Sequence, residues 1–290
     1  MEQAIQAAIS GALQGSLFAL MALGLSLTWG FLRVINLAHF GVILLGAYLT
    51  IEWAGPTGLG PLGVLVVTVP ILFVVAAVIH LLYDRFEVSE LNSLLISYGL
   101  LILMIQLVQN YWTADFQRLP GDINPYATRS VSVGSLIFPL PTVMAALFAA
   151  VLVVGIRLFL DRTYAGRALQ AFGQDRQIAA AFGIDHRTLG ILLAGASGAT
   201  AAVAGTLFTL RGTVTPDSAM EWVGLVFAIV ILGGIGNVAG TLWAGLLVGA
   251  VSGLVAVVWN PATSPLVVFS LVVLALIFRP QGLFRRKAAH

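Results

Sequence analysis

From Trp222 to Trp259 the sequence reads WVGLVFAIVILGGIGNVAGTLWAGLLVGAVSGLVAVVW, 38 residues without an Asp, Glu, Lys, Arg or His. As a single helix it would run roughly 57 Å at 1.5 Å per residue, well past the ~30 Å hydrocarbon core of a bilayer. The stretch is therefore two membrane segments, and the break between them falls at Gly233-Gly234-Ile235-Gly236-Asn237. Three glycines within four positions weaken a continuous helix by about 1 kcal/mol each relative to alanine. Their small side chains also let a neighbouring segment approach closely.

The rest of the chain fits the same solvent. Apolar residues make up 59% and charged residues 9% of the 290 positions, against about 25% charged in soluble domains. A soluble core cannot hide segment after segment of this length. Apolar runs between polar punctuation predict spans near 5–28, 35–53, 62–83, 91–112, 139–160, 189–210, 220–235, 240–259 and 264–279. The expected fold is all-α: a polytopic integral membrane protein of eight or nine transmembrane helices, forming one domain over 1–290. The 35–53 and 220–235 segments are short and hold Gly, Asn or His, so they are the candidates for broken or re-entrant helices. The start carries Glu2 and no basic residue before a run that continues to Leu27, which reads as a retained first span, not a cleavable signal.

Nine of the fourteen basic residues lie in two places, Arg157 to Arg187 and Arg279 to Lys287. The positive-inside tendency puts both in the cytoplasm, so the net charge of +2 reflects topology and is no sign of nucleic-acid binding. Loop 113–138, with its balanced charges, is then external, and loop 161–188 cytoplasmic. Counting spans places Asp84-Arg85 inside, the Gly55–Pro61 turn outside and the N-terminus outside.

Loop 161–188 is patterned. Gly166 to Phe172 predicts a helix with Leu169 and Phe172 on one face, and Asp175 to Phe182 a second, capped by Asp175 and stopped by Gly183. Ile178 and Phe182 form an apolar stripe. It fits a helix on the lipid surface or one inserted into a groove of a cytoplasmic partner.

Arg162-Thr163-Tyr164-Ala165-Gly166-Arg167-Ala168-Leu169-Gln170-Ala171, Gln174-Asp175-Arg176 and Ala179-Ala180-Ala181-Phe182-Gly183-Ile184-Asp185 together resemble the coupling segment of permeases in branched-chain amino-acid ABC importers. Three more blocks resemble the same family in the same order: Gly30 to His39 with Leu45-Gly46-Ala47-Tyr48, Leu232 to Gly240, and Phe278 to Phe284. The resemblance implies a permease for branched-chain amino acids, or for small polar solutes such as amides and urea, in a bacterial inner membrane. It implies a second permease chain, two separate ATPase subunits and an external solute-binding protein as partners. Coupling to the ATPase would fall to Arg167, Asp175, Arg176, Gln177, Ile178, Phe182, Gly183 and Asp185. Two positions depart from the family pattern. Gln177-Ile178-Ala179 stands where the family carries Glu-Ala-Ala, and His39-Phe40-Gly41 where it reads His-Gly-Glu, so each place lacks a carboxylate.

Candidate solute-path residues are the polar groups in or beside spans: Asn36 and His39, then Asn92, Ser93 and Ser97, then Asn237. Asn36 and His39 read equally as a self-satisfied turn. Gln106, Gln109 and Asn110 approach the outer interface and read as snorkelling. Gly233, Gly234 and Gly236 are the candidate helix break and gate. No cofactor is expected. The lone lysine, Lys287, stands in no phosphate-binding loop, so ATP is used by partner subunits. Gly195-Ala196-Ser197-Gly198 matches an intramembrane serine protease motif, but only His290 lies downstream as a base, and small residues at four-residue spacing suit helix packing better. No two His stand at metal-ligand spacing. The alternative class is a self-sufficient channel or carrier, disfavoured because no Asp or Glu lies mid-span to carry protons or sodium.

Overall fold

The computed structural model describes residues 2–86, 88–175, 179, 185–279 and 282–284. Ten helices organise them: α1 (Glu2–Leu27), α2 (Ala38–Ala54), α3 (Leu65–Arg85), α4 (Glu90–Trp112), α5 (Leu140–Arg162), α6 (Tyr164–Gln174), α7 (His186–Arg211), α8 (Ser218–Gly233), α9 (Val238–Val258) and α10 (Ser264–Phe278). All but α6 fall on the nine predicted spans. Seven of those nine are long and apolar enough to cross a membrane, counting the short turns that extend α1, α3 and α10. The two shorter ones are α2 and α8, of 17 and 16 residues, about 25 Å each. They are the two segments the sequence marks as short. Most of α2 is buried, as are residues 34–37 before it, so protein rather than lipid meets its unwound flank.

The first and last four spanning helices run in opposite senses. α1 lies antiparallel on α9, its Gly15 against Gly245 and its Gly11 against Gly249. α3 lies antiparallel on α7, with Leu72 at Gly198 and His80 at Gly190. The third helix of each half thus packs on the first helix of the other, and α1 crosses α7 between them. This is the arrangement of an inverted-topology pair.

The α1–α9 seam is backbone on backbone. A Cβ at Gly11 would overlap the Gly249 carbonyl oxygen, one at Gly15 the Gly245 carbonyl oxygen, and one at Gly253 the Ala7 carbonyl oxygen. Glycines four apart on both helices make this approach possible.

Helix ends mark the two faces. Arg187 Nε stands 3.6 Å from Asp84 Oδ2, joining the end of α3 to the start of α7 at the basic end of the molecule. At the far end Gln6 bonds to both the amide and the carbonyl of Ile137, so the N-terminus sits beside the 113–138 loop. Trp29 Nε1 donates to Glu90 at 3.1 Å near the basic end, and Trp112 Nε1 to Glu52 at 3.0 Å near the other. Such amphipathic rings favour membrane interfaces.

One element departs from the all-α expectation. Ser130–Val133 and Leu136–Pro139 pair as an antiparallel hairpin within the 113–138 loop and its exit. The alternation Ser-Val-Ser-Val followed by Gly134-Ser135 is a two-residue hairpin signal, with Gly134 at φ 63°. The loop is also held to the α7–α8 connection. Gln117 and Val214 exchange backbone bonds of 2.9 and 2.8 Å, and Asn124 Nδ2 donates to Leu210 O at 3.1 Å.

Candidate functional site

The basic end gathers the two helix breaks, α6 and the chain's C-terminal segment. α1 ends in a π turn, Thr28–Leu32, and Arg33 then takes a left-handed conformation at φ 55°, which stops the helix. Residues 33–37 are unwound, and α4 meets their polar backbone. Ile35 N donates to Ser93 Oγ at 3.2 Å, and Ser97 Oγ donates to Ile35 O at 3.1 Å. Tyr83 donates to Asn36 Oδ1 at 3.4 Å. Buried backbone groups outside a helix need such partners. Asn36, Ser93 and Ser97 are therefore brought together, while Asn92 is exposed on another face and its amide donates to the Ser89 cap.

His39 starts α2 one turn further in and is buried. Its Nε2 lies 3.0 Å from Met21 O and its Nδ1 3.2 Å from Ser197 Oγ. One neutral tautomer satisfies both: Nε2–H donates to the carbonyl and Nδ1 accepts the hydroxyl proton. Ser197, which has only His290 downstream of it, thus meets an upstream histidine 158 positions away. A Cβ at Gly24 would overlap the His39 ring and lie 2.7 Å from Ser197 Oγ and Thr200 Oγ1. The pair is wedged among α1, α2 and α7, where it ties three helices together. Nothing in the sequence signals this partnership, because it depends on how α2 and α7 cross.

The second break is a tight turn. Gly234 and Gly236 adopt φ 87° and 79°, conformations that a glycine takes without penalty. Asn237 caps α9, its Oδ1 accepting from Gly240 N at 3.0 Å while its Nδ2 donates to Phe284 O at 2.9 Å. Gly236 N donates to Ser26 Oγ at 3.2 Å, and a Cβ at Gly30 would overlap Gly236 Cα, so the two breaks touch. Gly233 packs against the backbone of Gly240 and Thr241. Leu283 N donates to Leu232 O at 2.8 Å, clamping the segment after α10 onto the same turn.

Helix α6 completes this end. Thr163 caps it, accepting from Gly166 N at 2.9 Å. Ala168, Leu169 and Phe172 are buried, and the helix packs on α5, on the π turn and on α7. Gln170 Nε2 donates to Leu160 O at 2.7 Å, and Arg33 donates to Gln174 O at 3.4 Å, a carbonyl that the helix end leaves open. A cavity of about 630 Å³ opens where α6, the π turn and the glycine break meet, with Phe31, Gly173, Ile235 and Trp243 in its wall. Of the residues assigned to coupling, Arg167 and Asp175 are exposed and Asp185 caps α7, accepting from Arg187 N at 3.1 Å. Arg176, Gln177, Ile178, Phe182 and Gly183 lie outside the described residues. Within that second predicted helix Ala179 is described, its amide donating to Asp175 O at 3.1 Å.

Among the described residues no group of three His, Cys, Asp or Glu could hold a metal ion.

Comparison with known proteins places this arrangement. Residues 7–277 match the family described as branched-chain amino acid transport system, permease component. The high-affinity branched-chain amino acid transport system permease protein BraD of Pseudomonas aeruginosa is 26% identical, over 97% of this chain and 96% of its own length. LivH of Escherichia coli, named likewise, is 24% identical over the same shares. LivM of Escherichia coli, a permease of the same description, is 35% identical over 50% of this chain and 35% of its own length. No solved structure matches the chain. With a family match across nearly the whole sequence and nine apolar helices beneath it, the chain is a multi-pass membrane protein and belongs to the permease components of branched-chain amino acid ABC transport systems.

Proposed function

We propose that this chain forms half of the membrane pathway of a bacterial inner-membrane importer for branched-chain amino acids, with a second, LivM-like permease chain as the other half. The observation that carries the reading is the family match over residues 7–277. It favours an importer subunit over a self-sufficient channel or carrier. An external binding protein delivers the solute, and two ATPase subunits dock on the basic end, which is the cytoplasmic face.

The chain contributes gates and levers rather than acids and bases. ATP serves as the partners' cofactor, and this chain needs none. Helix α6 packs on α5, α7 and the π turn of α1, and its Ala168, Leu169 and Phe172 are buried. A push on α6 from an ATPase therefore reaches the first break through packed side chains and the Arg33–Gln174 contact. The second break touches the first at Gly30 and Gly236 and moves with it. Ser197 and His39 serve as a brace, since both ring nitrogens are already bonded within the chain.

The test is affinity purification of this chain from membranes, followed by uptake assays on the purified assembly. Two ATPase subunits and a second permease should co-purify. Leucine, isoleucine and valine should compete for one uptake route that urea and acetamide leave unaffected. Uptake of urea in preference to leucine would overturn the solute assignment, and purification as a lone functional chain would overturn the assembly.

A further inference from the structure

Gln14 stands twelve residues after Glu2 in the first spanning helix, roughly 18 Å along its axis and so near the middle of a bilayer. It is half-buried, and among the described residues no hydrogen bond reaches its amide. Gln6, two turns earlier, bonds to Ser10 at 3.3 Å and to the hairpin. An unpaired amide at mid-bilayer depth is costly, and such groups face a cavity or a pathway.

Gln14 faces one. It lines a cavity of about 300 Å³ between α1, α8, α9 and α10, with Ser252 and Ser264 as further polar walls and Phe18, Leu225 and Val248 as apolar ones. Ser264 Oγ donates to Ser252 O at 3.2 Å, which fixes the mouth of α10 against α9. The Ser252 hydroxyl, like Gln14, has no partner among the described residues. The volume is at the small end of ligand sites, which run from about 300 to 1,000 Å³. A small solute fits such a space.

We infer that this cavity is a resting site for the transported solute, in which Gln14 and Ser252 hold the charged amino and carboxylate groups of an amino acid while Phe18, Leu225 and Val248 receive a branched aliphatic side chain. The inference rests on the importer reading above and names the place where that solute is held. The Gln14 amide supplies two donors and an acceptor and the Ser252 hydroxyl one of each, so both ends of a zwitterion find a partner. An acyl chain of a lipid would leave all of these groups unmet.

The sequence contains no cysteine, so single thiols can be introduced at Gln14 or Ser252 in the complete importer reconstituted in vesicles. A charged methanethiosulfonate reagent should modify Gln14→Cys and Ser252→Cys, and leucine supplied during turnover should slow both reactions. Gln14→Ala should reduce leucine uptake about tenfold or more, the loss of a hydrogen bond to a charged group. Should Gln14→Cys fail to insert, Ser252→Cys decides by the same readout. Absence of modification at both sites, or modification that leucine does not slow, together with wild-type uptake in Gln14→Ala, would overturn the site and assign the cavity to lipid or to the second permease. Absence of ATP-driven uptake in the wild-type assembly would instead overturn the importer reading.

Discussion

Two antiparallel seams hold the halves of the molecule together, and they are built differently. In α1–α9 the small residues meet backbone: Gly11, Gly15, Gly249 and Gly253 would each drive a Cβ into a carbonyl oxygen of the other helix. In α3–α7 they mostly meet side chains. Gly195 lies under the Phe73 ring and Gly190 beside His80 Nε2, and only Gly198 abuts a backbone carbonyl, that of Leu72. A side chain can rotate away from an added methyl group, whereas a helix backbone can yield only if the whole helix shifts. Small residues at four-residue spacing look alike in the sequence, yet one seam is locked and the other adjustable.

The largest expected effect breaks the locked seam. Gly249→Leu should cost about 3 kcal/mol or more of stability by overpacking, and Gly249→Ala nearly as much. Gly195→Ala should cost within about 1 kcal/mol, because the Phe73 ring that faces it can turn aside. Thermal unfolding of purified variants in detergent checks the difference, and equal losses at both glycines would erase the distinction between the seams.

Next in size is Gly234→Leu. Its φ of 87° gives a side chain no relaxed conformation. Strain of about 1–3 kcal/mol follows, and solute uptake at equal membrane levels should fall sharply. Wild-type uptake would reduce the turn to a passive link.

Smaller still is the double variant Ser93→Ala with Ser97→Ala. It removes two hydroxyls from the Ile35 backbone and should cost about 1 kcal/mol per bond. Faster hydrogen exchange at residues 33–37, with α1–α9 unaffected, is the expected signature. The smallest perturbation is a pair of labels. Thr128→Cys and Arg167→Cys are both at exposed positions. An impermeant thiol reagent added to intact cells should reach the first and miss the second, and the reverse pattern would invert the orientation.

Much of this fold was legible because a bilayer permits few solutions. The uncharged run from Trp222 to Trp259 demanded a break, and it falls at Gly233–Asn237 as read. The two segments marked as short, 35–53 and 220–235, correspond to α2 and α8, the two short helices. Counting spans puts Asp84 on the same side as Arg187, and the two stand 3.6 Å apart. What stayed hidden depends on which helix faces which. The spacing of Gly11 and Gly15, and of Gly245, Gly249 and Gly253, announces close packing without naming the partner. His39 and Ser197 meet only because α2 and α7 cross there. Gln14 is legible as a lone amide in the middle of an apolar run, whereas the polar groups at the breaks are the more numerous. There the polar groups prove to be bonded within the chain: Asn237 caps α9, and Ser93 and Ser97 bind Ile35.

On the proposed function, this chain moves solute only as part of an ATP-driven assembly. The direct measurement is uptake of labelled leucine into vesicles holding the purified complex, with binding protein outside and ATP or a non-hydrolysable analogue within. Accumulation should require both ATP hydrolysis and the binding protein. Equal leucine entry with the analogue, or entry through this chain alone, would contradict the account and make the protein a channel or carrier.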